Sequence, residues 1–334
     1  MLTFCSLNRF CRTLAIGILL ASGAIQSVSA ADPVTTKRDY NFPVNTPGLI
    51  SFSLNGRINL KGTADENSPP ETNKTGPKIS FTAGPPPAFT NQTLNDASTV
   101  VSNRVPGTQA VQSASLAASG TTLAGGNLHT TITKTTSAEV QLGVPPPGQG
   151  TGGVSRARAR DPLIVGTSGL GGQPIPQGSI FSMNFALQGV SHLAPGSSWS
   201  ASNYIAPGAI ADPDAFAAGL TGLTNLFALT ADSTGFHFTP GTSNSNFAIS
   251  FSNTTAQIES GLLSYFNGGG DQSLFSVNVM TLAAFDNITL GSEDLSTAAR
   301  SVAAVPEPDT YAMMLAGLGL VAFVGARRRK SRQA

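Results

Sequence analysis

Between Ile180 and Leu290, apolar side chains recur at every second position, and that period decides the fold class. Phe181, Met183, Phe185 and Leu187 alternate with small or polar residues, as do Phe247, Ile249 and Phe251, and later Phe275, Val277 and Val279. A period of two places one face of a strand in a core and the other in water. Further strands are expected at Asn225–Leu229, Gly235–Thr239, Ile258–Phe266 and Phe285–Leu290, separated by turn signals such as Asn267-Gly268-Gly269-Gly270-Asp271. Short strands at this spacing predict an antiparallel sandwich or jelly-roll-like body.

The first half is less regular. Leu49–Leu54 reads as a strand that turns at Asn55-Gly56 into Arg57–Leu60, the pattern of a hairpin. Lys78–Thr82 alternates, Thr108–Ala118 carries a weak helical pattern, and Leu128–Lys134 with Ala138–Leu142 reads as a strand pair. Val144-Pro145-Pro146-Pro147 followed by glycines is a linker pattern. It divides a β- and loop-rich region, 31–155, from a sandwich-like domain, 156–300; the alternative is one domain with a long surface loop.

The net charge of +1 hides an asymmetry, because no Lys or Arg occurs from Asp161 to Ala299. A surface without cations repels phosphate backbones, so nucleic acid is not an expected partner. The local basic patch Arg156-Ala157-Arg158-Ala159-Arg160 is expected to be solvated linker rather than a polyanion site.

Both ends carry targeting patterns. Arg9 and Arg12, an apolar core at Leu14–Leu20 and the small residues Val28-Ser29-Ala30 form a signal peptide over residues 1–30, cleaved between Ala30 and Ala31 and implying the Sec translocon. Both cysteines, Cys5 and Cys11, lie inside it, so the mature chain is expected to hold no disulfide, thiol nucleophile or thiolate metal site. At the other end Val305-Pro306-Glu307-Pro308 precedes an uncharged run, 310–326, and the cations Arg327, Arg328, Arg329 and Lys330. Such a run is just long enough to cross a bilayer, with its basic end held on the cytoplasmic side.

Motif, span and basic stop, in that order at 305–330, resemble the PEP-CTERM sorting signal. The resemblance implies recognition by an exosortase and a transient stay in the inner membrane through this helix. It further implies delivery to the cell surface or outside, in a Gram-negative bacterium that makes exopolysaccharide. Pro306-Glu307-Pro308 matches the recognition tripeptide, whose prolines fix an extended backbone. The expected whole is therefore all-β, with an N-terminal signal peptide and a single C-terminal transmembrane sorting helix. Phe285-Asp286-Asn287-Ile288-Thr289-Leu290 also resembles the closing strand of many jelly-roll carbohydrate-binding modules.

Catalytic patterns are sparse. His129, His192 and His237 lie in separate segments, without His-x-His, His-Glu-x-x-His or a Gly-x-Ser-x-Gly elbow. His237, between two phenylalanines, is expected on the wet face of its strand. No enzyme and no cofactor are expected. Asp212, Asp214 and Asp271, read as loop residues, are candidate calcium ligands, with plain turn formation as the competing role. Trp199 and Tyr204, read as a polar loop, are candidate sugar-stacking rings. The expected function is structural or adhesive, in an exopolysaccharide or biofilm layer. A carbohydrate-binding module and a secreted hydrolase are the alternatives.

Overall fold

A computed structural model describes residues 28–42, 50–63, 72–75, 79–83, 92–101, 108–122, 128–141, 153–167, 174–189, 193–212, 222–268, 272–300 and 315–319. The expectation of an all-β body holds: two antiparallel sheets pack face to face. The first has seven strands: β1 (Val28–Phe42), β5 (Gln92–Val101), β6 (Gln109–Thr122), β7 (Leu128–Gln141), β10 (Ile180–Gly189), β14 (Phe247–Phe251) and β15 (Gln272–Thr281). The second has nine: β2 (Ile50–Thr63), β3 (Thr72–Thr75), β4 (Ile79–Ala83), β8 (Val154–Asp161), β9 (Leu163–Thr167), β11 (Ser197–Pro207), β12 (Thr224–Asp232), β13 (Gly235–Pro240) and β16 (Asn287–Arg300). The first runs β14-β15-β10-β1-β7-β6-β5; the second runs β13-β12-β11-β16-β8-β2-β3, with β9 between β16 and β2 and β4 on β2.

This strand order corrects the expected division near residue 155. β1 pairs with β10, and β2 pairs with β8 and β9, so each of the two sheets runs continuously across that boundary. Residues Gln26–Val302 form one compact unit. The basic patch at 156–160 is not a linker but the interior strand β8, with Ala157 and Ala159 fully buried beneath its arginines.

Four local expectations change with it. Asn55-Gly56 makes no hairpin; β2 passes straight through, because both of its halves find partners on the collinear strands β8 and β9. Thr108–Ala118 contributes to β6 rather than a helix, with Ala110, Gln112, Ala114, Leu116 and Ala118 buried at every second position. The two strands expected at 128–142 are one strand, β7. Ile258–Phe266 belongs to a helix, α1 (Thr255–Gly268), which buries Ile258, Leu262 and Tyr265 at helical spacing. Thr254 opens it with a capping box: its Oγ1 accepts from the Gln257 N–H at 3.3 Å, and Gln257 Oε1 accepts from the Thr254 N–H at 2.9 Å.

The core has two chemically distinct halves. Where β10, β14 and β15 face β12 and β13, it is aromatic. Phe227 meets Phe275 edge-on with ring centroids 4.8 Å apart and Phe185 at 5.0 Å; Phe238 meets Phe251 at 5.8 Å. α1 packs against β13 and β15 beside this cluster. Where β1, β6 and β7 face β2, β8 and β16, small and polar groups are packed among aliphatic side chains such as Ile58, Leu60, Leu116 and Ile132. Ala110, Ala114, Ala157, Ala159, Thr36, Thr136 and Thr297 are all buried there. Ser155 on β8 crosses to β6, donating to the Val111 carbonyl at 2.6 Å.

At the centre of the polar half three fully buried charges meet: Arg38 on β1, Lys134 on β7 and Asp161 on β8. Arg38 Nη2 donates to Asp161 Oδ2 at 2.5 Å, and Lys134 Nζ pairs with Asp161 Oδ1. Arg38 Nη1 donates to the Tyr40 hydroxyl at 3.0 Å and to the Gly291 carbonyl, which also accepts from Tyr40 at 3.1 Å. The backbone is shaped around this junction. Pro162 follows Asp161 and separates β8 from β9. Across from it β16 carries one extra residue, since Thr289 opposes Ile164 while Glu293 opposes Asp161. Gly291 occupies the bulge at φ +64°, and a Cβ there would overlap the Tyr40 hydroxyl. Gly291→Ala is therefore expected to destabilise the fold by about 1–3 kcal/mol or more, through left-handed strain and the clash together. Thermal denaturation with the exposed Gly222→Ala as comparison reads this; equal losses for the two would refute it.

Candidate functional site

The outer face of the second sheet carries a groove of about 420 Å³. Strand alternation builds it. β8, β16, β11, β12 and β13 lie side by side, and each turns its polar side chains outward as its apolar ones enter the core. The registers line these residues up in three lateral rows. His237, Thr230, Ser200, Ser296, Arg158 and Asn59 form the middle row. Asp232, Ser198, Ala298, Arg156 and Lys61 form the row on one side. Ala228, Ser202, Asp294, Arg160 and Arg57 form the row on the other. At about 4.8 Å per strand, the face from β13 to β2 is roughly 24 Å wide.

Its charge is uneven. Arg57 faces Arg160 directly, and Lys61 faces Arg156. Like charges opposite one another on a sheet repel. Arg158 is compensated: Nε donates to Asp294 Oδ1 at 2.6 Å and Nη2 to Oδ2, a two-pronged pair. The Asp294 hydrogen bond raises the Arg158 guanidinium above its ordinary value, against the opposing effect of burial. Arg160 is pushed the other way, by burial first and by the neighbouring Arg158 next. At the far end Asp232 accepts from the Thr234 hydroxyl at 2.6 Å and the Thr234 N–H at 2.8 Å, and these bonds hold its carboxyl below the usual range.

The expected site residues fall in different places. Trp199 is not in a loop but in β11, 2% exposed, with its ring in the core. The polar residues around it mislead because they are the outward half of a strand. Tyr204, also in β11, is half-buried on the outer face, close enough to favour the charged form of Arg158. His237 stands on that face as expected. Asp212 is exposed, and its charge acts on Arg160. Asp214 and Asp271 lie outside the described residues. Among the described residues no group of three His, Cys, Asp or Glu side chains is arranged to hold a metal ion. Ala30 and Ala31 stand in β1, opposite Glu139 and Ala138.

Sequence reasoning missed Arg57, Lys61 and the serine rows. A signal was present: Arg57, Asn59 and Lys61 alternate with Ile58 and Leu60, as Arg156, Arg158 and Arg160 alternate with Ala157 and Ala159.

The tail residues Val305, Pro306, Glu307, Pro308, Arg327, Arg328 and Arg329 lie outside the described residues. Within the expected span, 315–319 are helical, and Leu315 and Leu318 are exposed. Among the described residues no helix is long and apolar enough to cross a membrane.

Comparison with known families finds a PEP-CTERM protein-sorting motif at residues 304–330. No curated protein matches the chain significantly. The motif marks an exported protein, sorted by an exosortase and passed by way of the membrane to the cell surface. Deleting residues 305–334 is expected to abolish that sorting while leaving the cooperative unfolding of the body intact. Fractionation and electrophoretic mobility in the native host read the first, thermal denaturation the second; unchanged localisation and mobility would contradict the expectation.

Proposed function

We propose that this chain, which carries a PEP-CTERM sorting motif at 304–330, is a non-enzymatic surface or matrix protein that holds acidic polysaccharide against the second sheet. The observation that carries the proposal is the like-charge pairing of Lys61 with Arg156 on adjacent strands of one outer face, with Arg158 next to them in the groove. A polymer of carboxylated sugars lying along β2 and β8 relieves this repulsion. Ser198, Ser200, Ser296 and Thr230 continue the face with hydroxyls that suit sugar hydroxyls, and Arg158 is fixed by Asp294 in a set orientation.

The groove's carboxyls support a binding role rather than a hydrolytic one. A glycosidase needs one carboxyl kept protonated as general acid. Asp232 is pushed in the opposite direction, and Asp294 is locked to Arg158. An extracellular destination places such a face where polysaccharide is found, so the role is structural or adhesive in that layer.

The purified full chain is expected to bind immobilised alginate but not neutral dextran, and to release it as salt rises. Reversing two charges, in Lys61→Glu with Arg156→Glu, is expected to weaken alginate binding by at least about tenfold while leaving thermal stability nearly unchanged. Absence of alginate binding, or equal binding by the double variant, would refute the reading.

A further inference from the structure

We infer that Lys134 and Asp161 are the reacting pair of an intramolecular amide bond that links the two sheets covalently. Lys134 belongs to β7 of the first sheet and Asp161 to β8 of the second, and both side chains are fully buried. A surface-facing function does not explain them. An ammonium and a carboxylate taken out of water are costly even when paired. Here a third charge, Arg38, is buried with them.

The carboxyl's two oxygens are treated differently. Oδ2 is held by Arg38 Nη2 at 2.5 Å, and Arg38 is itself anchored by the Tyr40 hydroxyl and the Gly291 carbonyl. Oδ1 is the neighbour of Lys134 Nζ yet accepts no hydrogen bond of normal geometry. One oxygen is thus positioned to stay and carry charge, and the other is adjacent to the nucleophile.

The chemistry balances within the pair. One ammonium proton passes from Nζ to the adjacent Oδ1, which leaves an amine facing a carboxylic acid. Nζ then attacks Cγ, and the negative charge that develops on Oδ2 faces the fixed guanidinium, as in an oxyanion hole. Oδ1 takes a second proton from Nζ and leaves as water. The Cγ–Nζ amide remains, Oδ2 becomes its carbonyl oxygen, and the hydrogen bond from Arg38 is kept. No oxidant, metal or other reactant takes part. The net charge of the cluster is unchanged, and the number of buried charges falls from three to one.

Such a link suits a chain whose cysteines, Cys5 and Cys11, both precede the first described strand. The body has no disulfide to hold its sheets together under load. The amide would tie β7 of the first sheet directly to β8 of the second, across the interior between them.

The test is mass spectrometry of the purified full chain, boiled in denaturant and digested with trypsin and a second protease. The expected product is one linked peptide that contains Lys134 and Asp161, one water lighter than its two halves and uncut after Lys134. Lys134→Arg is expected to yield the two halves as free peptides. Separate Lys134 and Asp161 peptides from the wild-type chain would overturn the proposal. So would a linked product of the same mass deficit that persists in Lys134→Arg.

Discussion

Asp161 holds two cations of the opposite sheet inside a core that excludes water, and the central strands are arranged around that requirement. One carboxylate satisfies Arg38 through Oδ2 and faces Lys134 through Oδ1. A buried charge left without a partner is among the costliest defects a fold can carry. The three side chains therefore constrain how β1, β7 and β8 can sit. A slip of one residue in any of them would turn its charge to the other face. Pro162 and the Gly291 bulge answer the same need from the backbone side. The bulge brings the Gly291 carbonyl within reach of Arg38 and Tyr40, and the absent Cβ leaves room for the Tyr40 ring.

Around this junction the sandwich divides its labour. The phenylalanines of β10, β12, β13 and β15 supply the large apolar burial, each worth on the order of 3–5 kcal/mol against truncation to alanine. The half built from β1, β6, β7, β8 and β2 mixes buried alanine and threonine with leucine and isoleucine, lacks the phenylalanine cluster, and adds directed polar contacts. The same half carries the cations outside. Lys and Arg are absent from 161 to 299, so the positive charge of the second sheet collects on β2 and β8, and the hydroxyl rows of β11 and β16 lie beside it. An uneven distribution along the chain has become a polarised face.

The sandwich was legible where the residues contrast strongly. Phe181, Met183 and Phe185 against Ser182 and Asn184 leave no doubt about period or face. It was illegible in β6, where Ala110, Ala114 and Ala118 are buried and Ser113, Ser115 and Ser119 lie half-buried on the other face: the two residue types differ little in hydrophobicity, and alanine favours a helix. In α1 the helical spacing of Ile258, Leu262 and Tyr265 lies beneath an apolar run that also reads as a strand; the Thr254–Gln257 capping box was the available discriminator. The sorting motif was legible because it is a linear signal that needs no fold. The groove was not, because its rows join residues as distant as Lys61, Arg156, Ser198 and Asp232, and only the registers bring them together. Arg38, Lys134 and Asp161 look like ordinary surface charges until β7 and β8 are laid across one another.

The most direct measurement is urea denaturation of the full chain carrying Asp161→Leu, which removes the shared carboxylate and leaves both cations buried. A loss of about 3–5 kcal/mol is expected, with the unfolding midpoint falling accordingly. A loss below about 1 kcal/mol would show that the sheets are held together without this junction.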